Sequence, residues 1–571
     1  MARVLSVILA CFWLTSQSFF PGQFDARRVE GSGDPRLLAA SARDPSGLAA
    51  GREIPTTIRT SVPEFKGLLG LIRGTLSHDK VEFAGKTGVV AGFAAGTSYP
   101  QIWLRDAATV IPASKYFYPA PYLVSWLEEH LALQRPDGSL FDWFNFEGKV
   151  DKNTTETDQE ASAVLAAAQA ARIVEPGWLD RKIDGVSVID RLDRALKSVF
   201  AARFDKSRGL VIGAHTADWG DVDMEDADRN AIYNDARTNW TADIYDQAIV
   251  YGACRALAEL WEGRGAAENA AFWRKTAEAL RGSADRHLWQ EDKGYYRVHI
   301  HLGSLKHDFD EDAIFPMGGN AEAVLRGLAS EEKARRIIET AMARQIEHRM
   351  PAVSAGLLPP YPAGVFKHPA VDQPFEYQNG GLWDWFGAKL VYAMFEHGYA
   401  ASAREKLLEL ARKNIASNGL YEWDAPDGTG RGSPFYAGSA GSLALALFEG
   451  YFGIKLTRDG LELSPRLGEA SARIHVRIPA AGVFAAYDYR WLPAESRISL
   501  RYESSIRKSG FVRLTLPPSL SGTEASAGGK DLAVKLDGRP VPFSVERLNR
   551  DVILQIETDF SPHSLDIRLR K

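Results

Sequence analysis

The stretch LWDWFGAKLVYAMFEHGYAASAREKLLELARKNIASNGLYEWDAPDGTGRGSPFYAGSAGSLALALFEGY, residues 382–451, decides the fold. It contains three helix-like segments, at 382–397, 400–416 and 437–451. Only a tight turn separates the first two segments, whereas the long connection 417–436 separates the last two. A very short connection followed by a long one predicts helices arranged as successive hairpins.

The same alternation continues toward the N-terminus, where further helix-like segments cover residues 64–73, 106–117, 121–134, 159–172, 188–202, 245–262, 266–284, 320–328 and 330–346. With the three above they form six hairpins, and in each hairpin the first helix is joined to the second by a long loop, at 74–105, 135–158, 203–244, 285–319, 347–381 and 417–436. Most other connections are a few residues long, with 173–187 as the exception. Because neighbouring helices run antiparallel, the long loops emerge on one face, and such loops usually carry function. The sequence therefore predicts a closed double ring of helices, an (α/α)6 barrel.

The composition is typical of a large secreted enzyme. The chain has 571 residues, and 68 basic residues against 73 acidic residues give a formal charge of −5. This balance provides no basic field of the kind that a nucleic acid backbone requires, so nucleic acid is excluded as a partner. The two cysteines, Cys11 and Cys254, are too few and too far apart for a disulfide framework or a cysteine-based zinc site. Nothing in the sequence indicates the oligomeric state.

Residues 1–26 are predicted to be a secretory signal peptide, because Arg3 precedes a largely apolar run from Val4 to Leu14. The run is too short to span a bilayer, which needs about 20 apolar residues, so cleavage is favoured over a permanent anchor. Residues 27–57 are rich in Gly, Ala, Ser, Arg and Asp and are predicted to be a flexible leader. We therefore expect a secreted or periplasmic protein without a membrane anchor after cleavage.

Beyond the last helix the apolar period changes from helical to alternating, as in the runs 473–478, 497–502 and 511–516. Alternation with a period of two predicts half-buried strands. Residues 456–571 are therefore predicted to form a β-sandwich domain, following a catalytic barrel at 58–455. A structural accessory role for the sandwich is favoured over carbohydrate binding, because a fold alone does not define a function.

Two of the long loops carry carboxylates next to aromatic residues. The third loop contains Asp218-Trp219-Gly220-Asp221, and the sixth contains Tyr421-Glu422-Trp423. An indole can stack on the apolar face of a sugar ring while carboxylates accept hydrogen bonds from its hydroxyls. An apolar setting such as that expected for Glu422, between two aromatic residues, also raises the pKa of a carboxyl group.

The third and sixth loops stand on opposite sides of a closed six-hairpin ring. Glycoside hydrolysis requires one carboxylic acid that protonates the leaving oxygen and a second carboxylate across the sugar. Asp221 and Glu422 fit these two positions. Each acid alone is more simply explained as a turn former or a solvated side chain, but the opposed pair favours catalysis.

Four motifs in this order resemble the six-hairpin glycosidases: Trp103-Leu104-Arg105-Asp106, Asp218-Trp219-Gly220-Asp221, Gln378-Asn379-Gly380-Gly381-Leu382-Trp383 and Tyr421-Glu422-Trp423. These enzymes include processing α-glucosidases, mannosylglycerate hydrolases, trehalases, glucoamylases and the glucosidase half of glycogen debranching enzyme. The resemblance covers about residues 58–455. Gly380-Gly381-Leu382-Trp383-Asp384 stands where the processing glucosidases have Trp-Arg-Gly-Pro, so the particular family stays open.

The resemblance implies that Asp221 is the general acid, with Asp218 as the fallback, and that Glu422 is the general base of an inverting single displacement. It also implies a set of substrate-binding residues, namely Trp103, Arg105, Asp106, Asp218, Trp219, Gln378, Trp383, Tyr421 and Trp423. Simpler explanations compete for some of them. Asp106 could be a helix N-cap, and Trp383 could be core. For Thr157-Asp158-Gln159-Glu160, which opens the fourth helix, capping is favoured over sugar binding.

No cofactor and no metal site are predicted. The histidines that could bind a metal are too scattered along the chain for a recognisable site, namely His215, His299, His301, His307 and His368. The acidic residues Asp308, Asp310, Glu311 and Asp312 could hold a structural calcium ion, although ordinary solvated charge is the favoured interpretation.

The predicted function is an exo-acting, inverting glycoside hydrolase that removes a terminal α-linked hexose of gluco or manno configuration. A disaccharide phosphorylase on the same scaffold is one alternative, but it would not need Glu422 as a base. A polysaccharide lyase or a non-catalytic sugar-binding protein is another. A lyase would need a Tyr or His base and a group that neutralises an acidic sugar, and the acidic loops disfavour uronate binding.

Overall fold

A computed structural model of the chain describes residues 54–222, 224–225, 233–521 and 532–570. The predicted signal peptide and residues 27–53 of the predicted leader lie outside the described residues. Within the described ranges, no helix is both long enough and apolar enough to cross a membrane.

All of the predicted helices are present in the described part of the chain. Their bounds are α1 (Pro63–Asp79), α2 (Leu104–Ser114), α3 (Pro121–Ala132), α4 (Gln159–Ala171), α5 (Val188–Ala202), α6 (Ile244–Glu262), α7 (Ala267–His287), α8 (Met317–Leu325), α9 (Glu331–Glu347), α10 (Asp384–Glu396), α11 (Ala400–Ala416) and α12 (Ala437–Ala444). The last helix continues as π-helical turns over Leu445–Tyr451.

Most helices differ from their predicted bounds by a few residues, and in two of them packing overrides glycine propensity. α1 runs past Gly74 to Asp79, and the buried side chains of Thr75 and Leu76 hold this extra length against the core. α8 begins at Met317 and includes two consecutive glycines that the sequence pattern indicates as loop.

The helices form two concentric rings. The inner helices contact one another in the closed order α2, α4, α6, α8, α10, α12 and back to α2. Where α12 meets α2, a Cβ at Gly441 would lie 2.0 Å from the carbonyl oxygen of Thr109, so only glycine permits this close approach. The predicted (α/α)6 barrel is therefore confirmed.

The amphipathic pattern explains which helices are inside. In the outer helix α9 the buried residues recur at helical spacing, namely Ala334, Ile337, Ile338, Ala341 and Gln345, which leaves a solvent-facing side. In the inner helices α10 and α12 nearly every residue is buried, and small residues such as Gly and Ala let the inner ring pack tightly. A helix that is apolar all round is buried all round.

The long loops emerge together on the face where all six inner helices begin, which we call the barrel mouth. Several of these loops are stiffened by short sheets: Lys80–Gly85 with Gly88–Phe93; Ile102–Trp103 with Trp143–Phe144 and Val150–Asp151; Phe204–Asp205 with Leu210–Val211; Gly213–Ala214 with Trp240–Asp243 and His299–His301; Trp289–Gln290 with Tyr295–Tyr296; Phe315–Pro316 with Leu357–Leu358; and Tyr421–Asp424 with Gly430–Pro434. The partial positive charge of six helix N-termini faces the mouth, which favours carboxylates there.

The strands after α12 form two sheets. One contains, in spatial order, Thr57–Thr60, Ala472–Ile478, Val483–Leu492, Arg497–Ser504, His563–Leu569, Leu532–Leu536 and Arg539–Pro540. The other contains Ile454–Leu456, Leu461–Leu463, Ser509–Thr515, Asp551–Asp559 and Ser544–Leu548. That the two sheets form a separate sandwich domain stays a prediction.

The first described strand, Thr57–Thr60, belongs to the C-terminal sheet, where it pairs antiparallel with Ala472–Ile478. Within the described residues, regular structure therefore begins at Thr57, the last residue of the predicted leader. The sheets share a continuous core with the barrel, and they contact its end opposite the mouth, where the hydroxyl of Tyr116 donates to the carbonyl of Ile454.

Candidate active site

A pocket of about 50 Å³ opens in the barrel mouth. Its walls are formed by Ala95, Tyr99, Trp103, Arg105, Asp106, Trp219, Asp221, Tyr377, Trp383, Glu422 and Tyr436. Seven of the predicted site residues are in this wall, and they come from four different long loops and from the first turn of α2. The pocket combines carboxylates with aromatic side chains, as a sugar site requires.

Asp221 is held by contacts from three directions. The side-chain amide of Gln378 donates to Asp221 Oδ1 at 2.8 Å, and Arg105 Nη2 lies 3.5 Å from Asp221 Oδ2. The side-chain amide of Asn153 donates to the backbone carbonyl of Asp221 at 2.7 Å. Gln378, which was predicted to contact a sugar hydroxyl, hydrogen-bonds directly to Asp221 in this structure and does not line the pocket.

Arg105 is buried in the first turn of α2 and is surrounded by carboxylates. Its Nη1 lies 2.5 Å from Glu156 and 3.4 Å from Asp158, in addition to the contact with Asp221. Burial alone would lower the pKa of Arg105, but the charges of Glu156 and Asp158 raise it overall, so the guanidinium stays charged. Arg105 therefore links the base of the pocket to the loop that precedes α4.

The capping interpretation of residues 157–160 is wrong in the described structure. Asp158 stands at the N-cap position of α4, but its side chain makes no capping hydrogen bond there. Instead Asp158 accepts a hydrogen bond from the hydroxyl of Tyr245 at 2.8 Å and contacts Arg105. A buried cation nearby competes successfully with the helix terminus for the carboxylate.

Glu422 faces the pocket from the strand Tyr421–Asp424. The hydroxyl of Tyr99 donates to Glu422 Oε1 at 3.0 Å, and the backbone N–H of Ser433 donates to Oε2 at 2.9 Å. Burial raises the pKa of Glu422 to about 7, and the negative charges of Asp221 and Asp106 add to this effect, while the two hydrogen bonds oppose it. A carboxyl group with such a pKa can exchange a proton near neutral pH.

Tyr421 and Trp423 do not line the pocket, although both were predicted to bind substrate. Along their strand the half-buried residues Tyr421 and Trp423 alternate with the buried Glu422 and Asp424, as expected when successive side chains point to opposite faces. The aromatic residues that line the pocket with Glu422 are tyrosines and tryptophans from elsewhere in the chain. Asp424, on the inner side of the strand, forms a buried ion pair with Lys413.

Asp106 faces the pocket and is not a helix cap. The N-cap position of α2 is Trp103, and no side chain in the described part of the chain caps this helix. Asp106 hydrogen-bonds with Tyr436, and burial raises its pKa while the charge of Arg105 opposes the rise. Its place beside Arg105 agrees with the predicted contact to a sugar hydroxyl.

Asp218 is held away from the pocket at the beginning of α8. Its carboxylate accepts hydrogen bonds from the backbone N–H of Gly319 at 2.9 and 3.2 Å, and its backbone has a φ of 60°. Burial raises the pKa of Asp218 to about 8, and the N–H groups of Gly319 and Gly318 oppose the rise. The structure thus assigns Asp218 a contact with a helix terminus, and it does not bring Asp218 into the pocket wall with Asp221.

The tryptophans of the pocket belong to one aromatic cluster. The ring centroids of Trp219 and Trp383 are 4.4 Å apart in an edge-to-face arrangement, and Trp219 also packs on Trp385 and Phe386. Both Trp219 and Trp383 are buried, so each is a core residue that also lines the pocket. Trp103 packs instead against Tyr99 and Trp143 and is partly exposed.

Three tyrosines of the pocket wall were not predicted from the sequence: Tyr99, Tyr377 and Tyr436. None lies within a motif that contains a carboxylate, and the sequence gives no sign that they meet. Glu156 was also missed, although it lies one residue before the candidate capping sequence. A buried arginine with two or more acids on neighbouring loops is the signal that could have indicated it.

Three of the loop histidines are far apart in the sequence but close together in the structure, so the prediction that they are too scattered for a recognisable metal site is wrong. His215, His299, His301 and Glu311 each offer a ligand atom, and these atoms lie within 4.8 Å of one another. The acidic cluster predicted as a possible calcium site does not converge: Glu311 turns to the imidazoles, while Asp310 pairs with Lys293 and Asp312 with Arg297.

Comparison with known proteins identifies the fold. No protein-family profile and no curated protein matches the chain. Among solved structures, the GH78 family rhamnosidase of Bacillus sp. GL1 is similar at 16% identity with a TM-score of 0.56, over 81% of this chain and 43% of that chain. The α-L-rhamnosidase from Dictyoglumus thermophilum is similar at 12% identity with a TM-score of 0.57, over 90% of this chain and 50% of that chain.

A GH63 mannosylglycerate hydrolase from Thermus thermophilus aligns over 67% of this chain and 99% of that chain, at 18% identity and a TM-score of 0.48. The chain spans about half the length of the two rhamnosidases. At these identities the likeness shows the fold alone. The predicted resemblance to six-hairpin (α/α)6-barrel glycosidases is therefore confirmed at the level of the fold.

Proposed function

We propose that the protein is an exo-acting glycoside hydrolase that removes a terminal α-linked hexose with inversion of configuration. The observation that carries this proposal is that Asp221 and Glu422, from the third and the sixth long loop, both line one small pocket in the barrel mouth. Two carboxyl groups on one pocket supply the acid and the base that cleavage of a glycosidic bond requires.

In the proposed reaction, Asp221 donates its proton to the glycosidic oxygen as the bond to the anomeric carbon breaks. Glu422 removes a proton from a water molecule, whose oxygen attacks the opposite face of that carbon. The products are the free sugar of inverted configuration and the released alcohol. Asp221 is left ionised and Glu422 protonated, and exchange with solvent resets both groups.

The lining of the pocket supports a terminal sugar as the bound unit, because the long loops surround the pocket with carboxylates and aromatic side chains. Asp106 and Arg105 are placed to contact hydroxyls, and Trp103 offers a partly exposed aromatic wall. Arg105 is the only cation among the described residues of the wall and already faces three carboxylates, which disfavours a phosphorylase.

The proposal also covers where the protein acts and what the C-terminal strands do. We propose export to the periplasm or the exterior through residues 1–26, with carbohydrate as the partner. We also propose that the C-terminal strands form a sandwich with a structural role. Their contacts with the barrel lie at the end opposite the mouth, where they cannot touch a sugar in the pocket.

The product anomer tests the proposal. The purified protein is incubated with α-glucosides, α-mannosides and, because of the rhamnosidase neighbours, α-L-rhamnosides, and the first product is identified by NMR with and without phosphate. Free β-configured hexose, or the inverted rhamnose, without phosphate is the expected result. A sugar phosphate formed only in the presence of phosphate would identify a phosphorylase, and a product of retained configuration would contradict the single displacement.

The pKa of Glu422 predicts the acidic limb of the pH profile. The base must be ionised to act, and burial raises the pKa of Glu422 to about 7. In the reacting state Asp221 holds a proton, so its charge no longer adds to the rise and burial remains the main cause. We therefore expect kcat/KM to fall as the pH decreases toward and below about 7. The hydrogen bond from Tyr99 stabilises the ionised form, so Tyr99→Phe should move this limb to higher pH.

The measurement is kcat/KM between pH 5 and 9 for the natural and the Tyr99→Phe proteins. Tyr122→Phe is a suitable control, because this tyrosine hydroxyl also donates to a glutamate, Glu82, but at a distance from the pocket. An unchanged acidic limb in Tyr99→Phe, or an equal shift in Tyr122→Phe, would contradict the assignment of the limb to Glu422.

A further inference from the structure

A cluster of histidines joins the loop that carries Asp221 to the next long loop. His215, His299, His301 and Glu311 converge so that one ligand atom from each lies within 4.8 Å of the others. We propose that these four side chains bind one divalent transition-metal ion of the zinc class. The ion would have a structural role, and its binding does not depend on the proposed hydrolase activity.

The cluster is built on a stiff scaffold. His299 and His301 occupy alternate positions of the strand His299–His301, so their side chains project from the same face. This strand pairs with Trp240–Asp243, which in turn pairs with Gly213–Ala214. His215 follows the last of these strands directly, and the three-stranded sheet therefore fixes all three imidazoles relative to one another.

The distances suit a tetrahedral site. Glu311 Oε1 lies 2.9 Å from His299 Nε2, and Glu311 Oε2 lies 3.0 Å from His301 Nε2. The ring centroid of His215 lies 4.7 and 4.9 Å from those of His299 and His301. A tetrahedral zinc site with bonds of about 2.0–2.1 Å has ligand atoms about 3.4 Å apart. Small side-chain rotations would bring the four atoms to this separation.

The surrounding hydrogen bonds orient the ligands in the way that metal sites require. His215 Nδ1 contacts Glu225 at 3.0 Å, which leaves Nε2 for the ion. His215 Nε2 is buried and has no hydrogen-bond partner among the described residues, a costly state that an ion would remove. The hydroxyl of Tyr361 donates to Glu311 Oε1 at 2.7 Å and fixes the carboxylate.

The ligand chemistry selects the ion. Three imidazole nitrogens and one carboxylate suit zinc and its transition-metal neighbours, whereas calcium requires six to eight oxygen ligands. Four protein ligands complete a tetrahedral shell, so no position is left for a catalytic water. His307 also packs against the cluster, with its Nε2 3.4 Å from Glu311 Oε1.

The ion would hold three of the long loops together. His215 lies on the loop of Asp221, His299, His301 and Glu311 lie on the next loop, and Tyr361 lies on the loop that carries Gln378. Gln378 donates a hydrogen bond to Asp221, so the loop of Tyr361 and the loop of His215 also contact each other at the candidate acid. The ion would therefore act as a positioning group for the rim of the pocket.

Metal content tests the proposal without reference to activity. The full chain without an affinity tag is stripped with a chelator, loaded with Zn²⁺ and freed of excess metal. About one zinc per chain and a higher Tm than the stripped protein are expected. Loading with Co²⁺ is expected to give the visible absorption of tetrahedral cobalt. The proposal is overturned if the natural protein retains neither metal and its Tm does not change.

Variants assign the site. His299→Ala and Glu311→Gln are each expected to retain less than one-tenth of the zinc of the natural protein. His130→Ala is the matched control, since His130 is fully buried but lies outside the cluster, and it is expected to bind zinc normally. Equal zinc in His299→Ala and the natural protein would refute the site. If a variant does not fold, the cobalt spectrum of the natural protein decides: tetrahedral bands support the site, and their absence refutes it.

Discussion

Replacement of Glu422 by glutamine is expected to lower kcat by about 10²–10⁴-fold, the usual contribution of a general base. Glutamine keeps the shape of the side chain: its carbonyl oxygen can accept the hydrogen bond from the N–H of Ser433, and its NH2 group can donate to the hydroxyl of Tyr99. It cannot take a proton from water. KM should change little, because the pocket wall is preserved. Steady-state kinetics on the best substrate of the NMR panel measure the effect.

The same substitution is expected to stabilise the protein above neutral pH. Burial raises the pKa of Glu422 from 4.5 to about 7, so the folded state keeps a proton that the unfolded state has lost. Stability from this group therefore falls as the pH rises from about 4.5 through 7. At about 1.36 kcal/mol per pKa unit, the ionised side chain costs about 3 kcal/mol at pH 8, which glutamine removes. Tm should rise at pH 8 and stay unchanged at pH 4.

A rescue experiment distinguishes a base from a merely structural residue. Glu422→Ala removes the carboxylate and leaves space beside the anomeric carbon. Azide attacks without losing a proton, so it should restore turnover to Glu422→Ala and yield a glycosyl azide of inverted configuration. Full activity of Glu422→Gln, or a rescued product of retained configuration, would show that Glu422 is not the base of a single displacement.

Asp221→Asn is expected to have the second large effect, and its size should depend on the leaving group. Without a proton donor, kcat for a natural glycoside should fall by about 10²–10⁴-fold. A nitrophenyl glycoside departs without protonation, so its kcat should fall far less. Glu422→Gln removes the base instead and should slow both substrates alike. Comparison of the two substrates with both variants therefore separates the acid from the base.

Asp218→Asn is the matched control for Asp221→Asn, because it makes the same chemical change three residues away on the same loop. Asp218 contacts the N–H of Gly319 and does not line the pocket, so its amide should leave kcat within a few-fold of the natural value. If Asp218→Asn is the inactive variant and Asp221→Asn is not, the assignment of the acid is wrong.

The helices and the loop face could be predicted because they depend on local patterns. Apolar periodicity marked each helix, and loop length marked the face that carries the pocket. Packing decided the exceptions, since the buried Leu76 carries α1 past Gly74. That Asp221 and Glu422 lie in the pocket wall could be predicted because each lies beside aromatic residues on a long loop of known order.

The rest of the site depends on contacts between distant segments, which one sequence does not show. Tyr99 reaches Glu422 across 323 positions of the chain, and no motif links them. His215 meets His299 only because two strands pair through a third. Trp423 was wrongly assigned to the pocket because the strand that turns it away from Glu422 is only four residues long.

The strand Thr57–Thr60 has a consequence for how the protein is made. Its neighbour Thr56 accepts a hydrogen bond from the backbone of Arg477, which lies 421 positions later in the chain. At about 5–20 residues per second, a ribosome needs roughly 20–80 s to synthesise that interval. During this time the edge of the strand has no partner in the C-terminal sheet, and the sheet can be completed only after nearly all of the barrel has been translated. Pairing of this strand therefore follows synthesis of the barrel, and the first strand of the described residues is among the last elements to reach its native contacts.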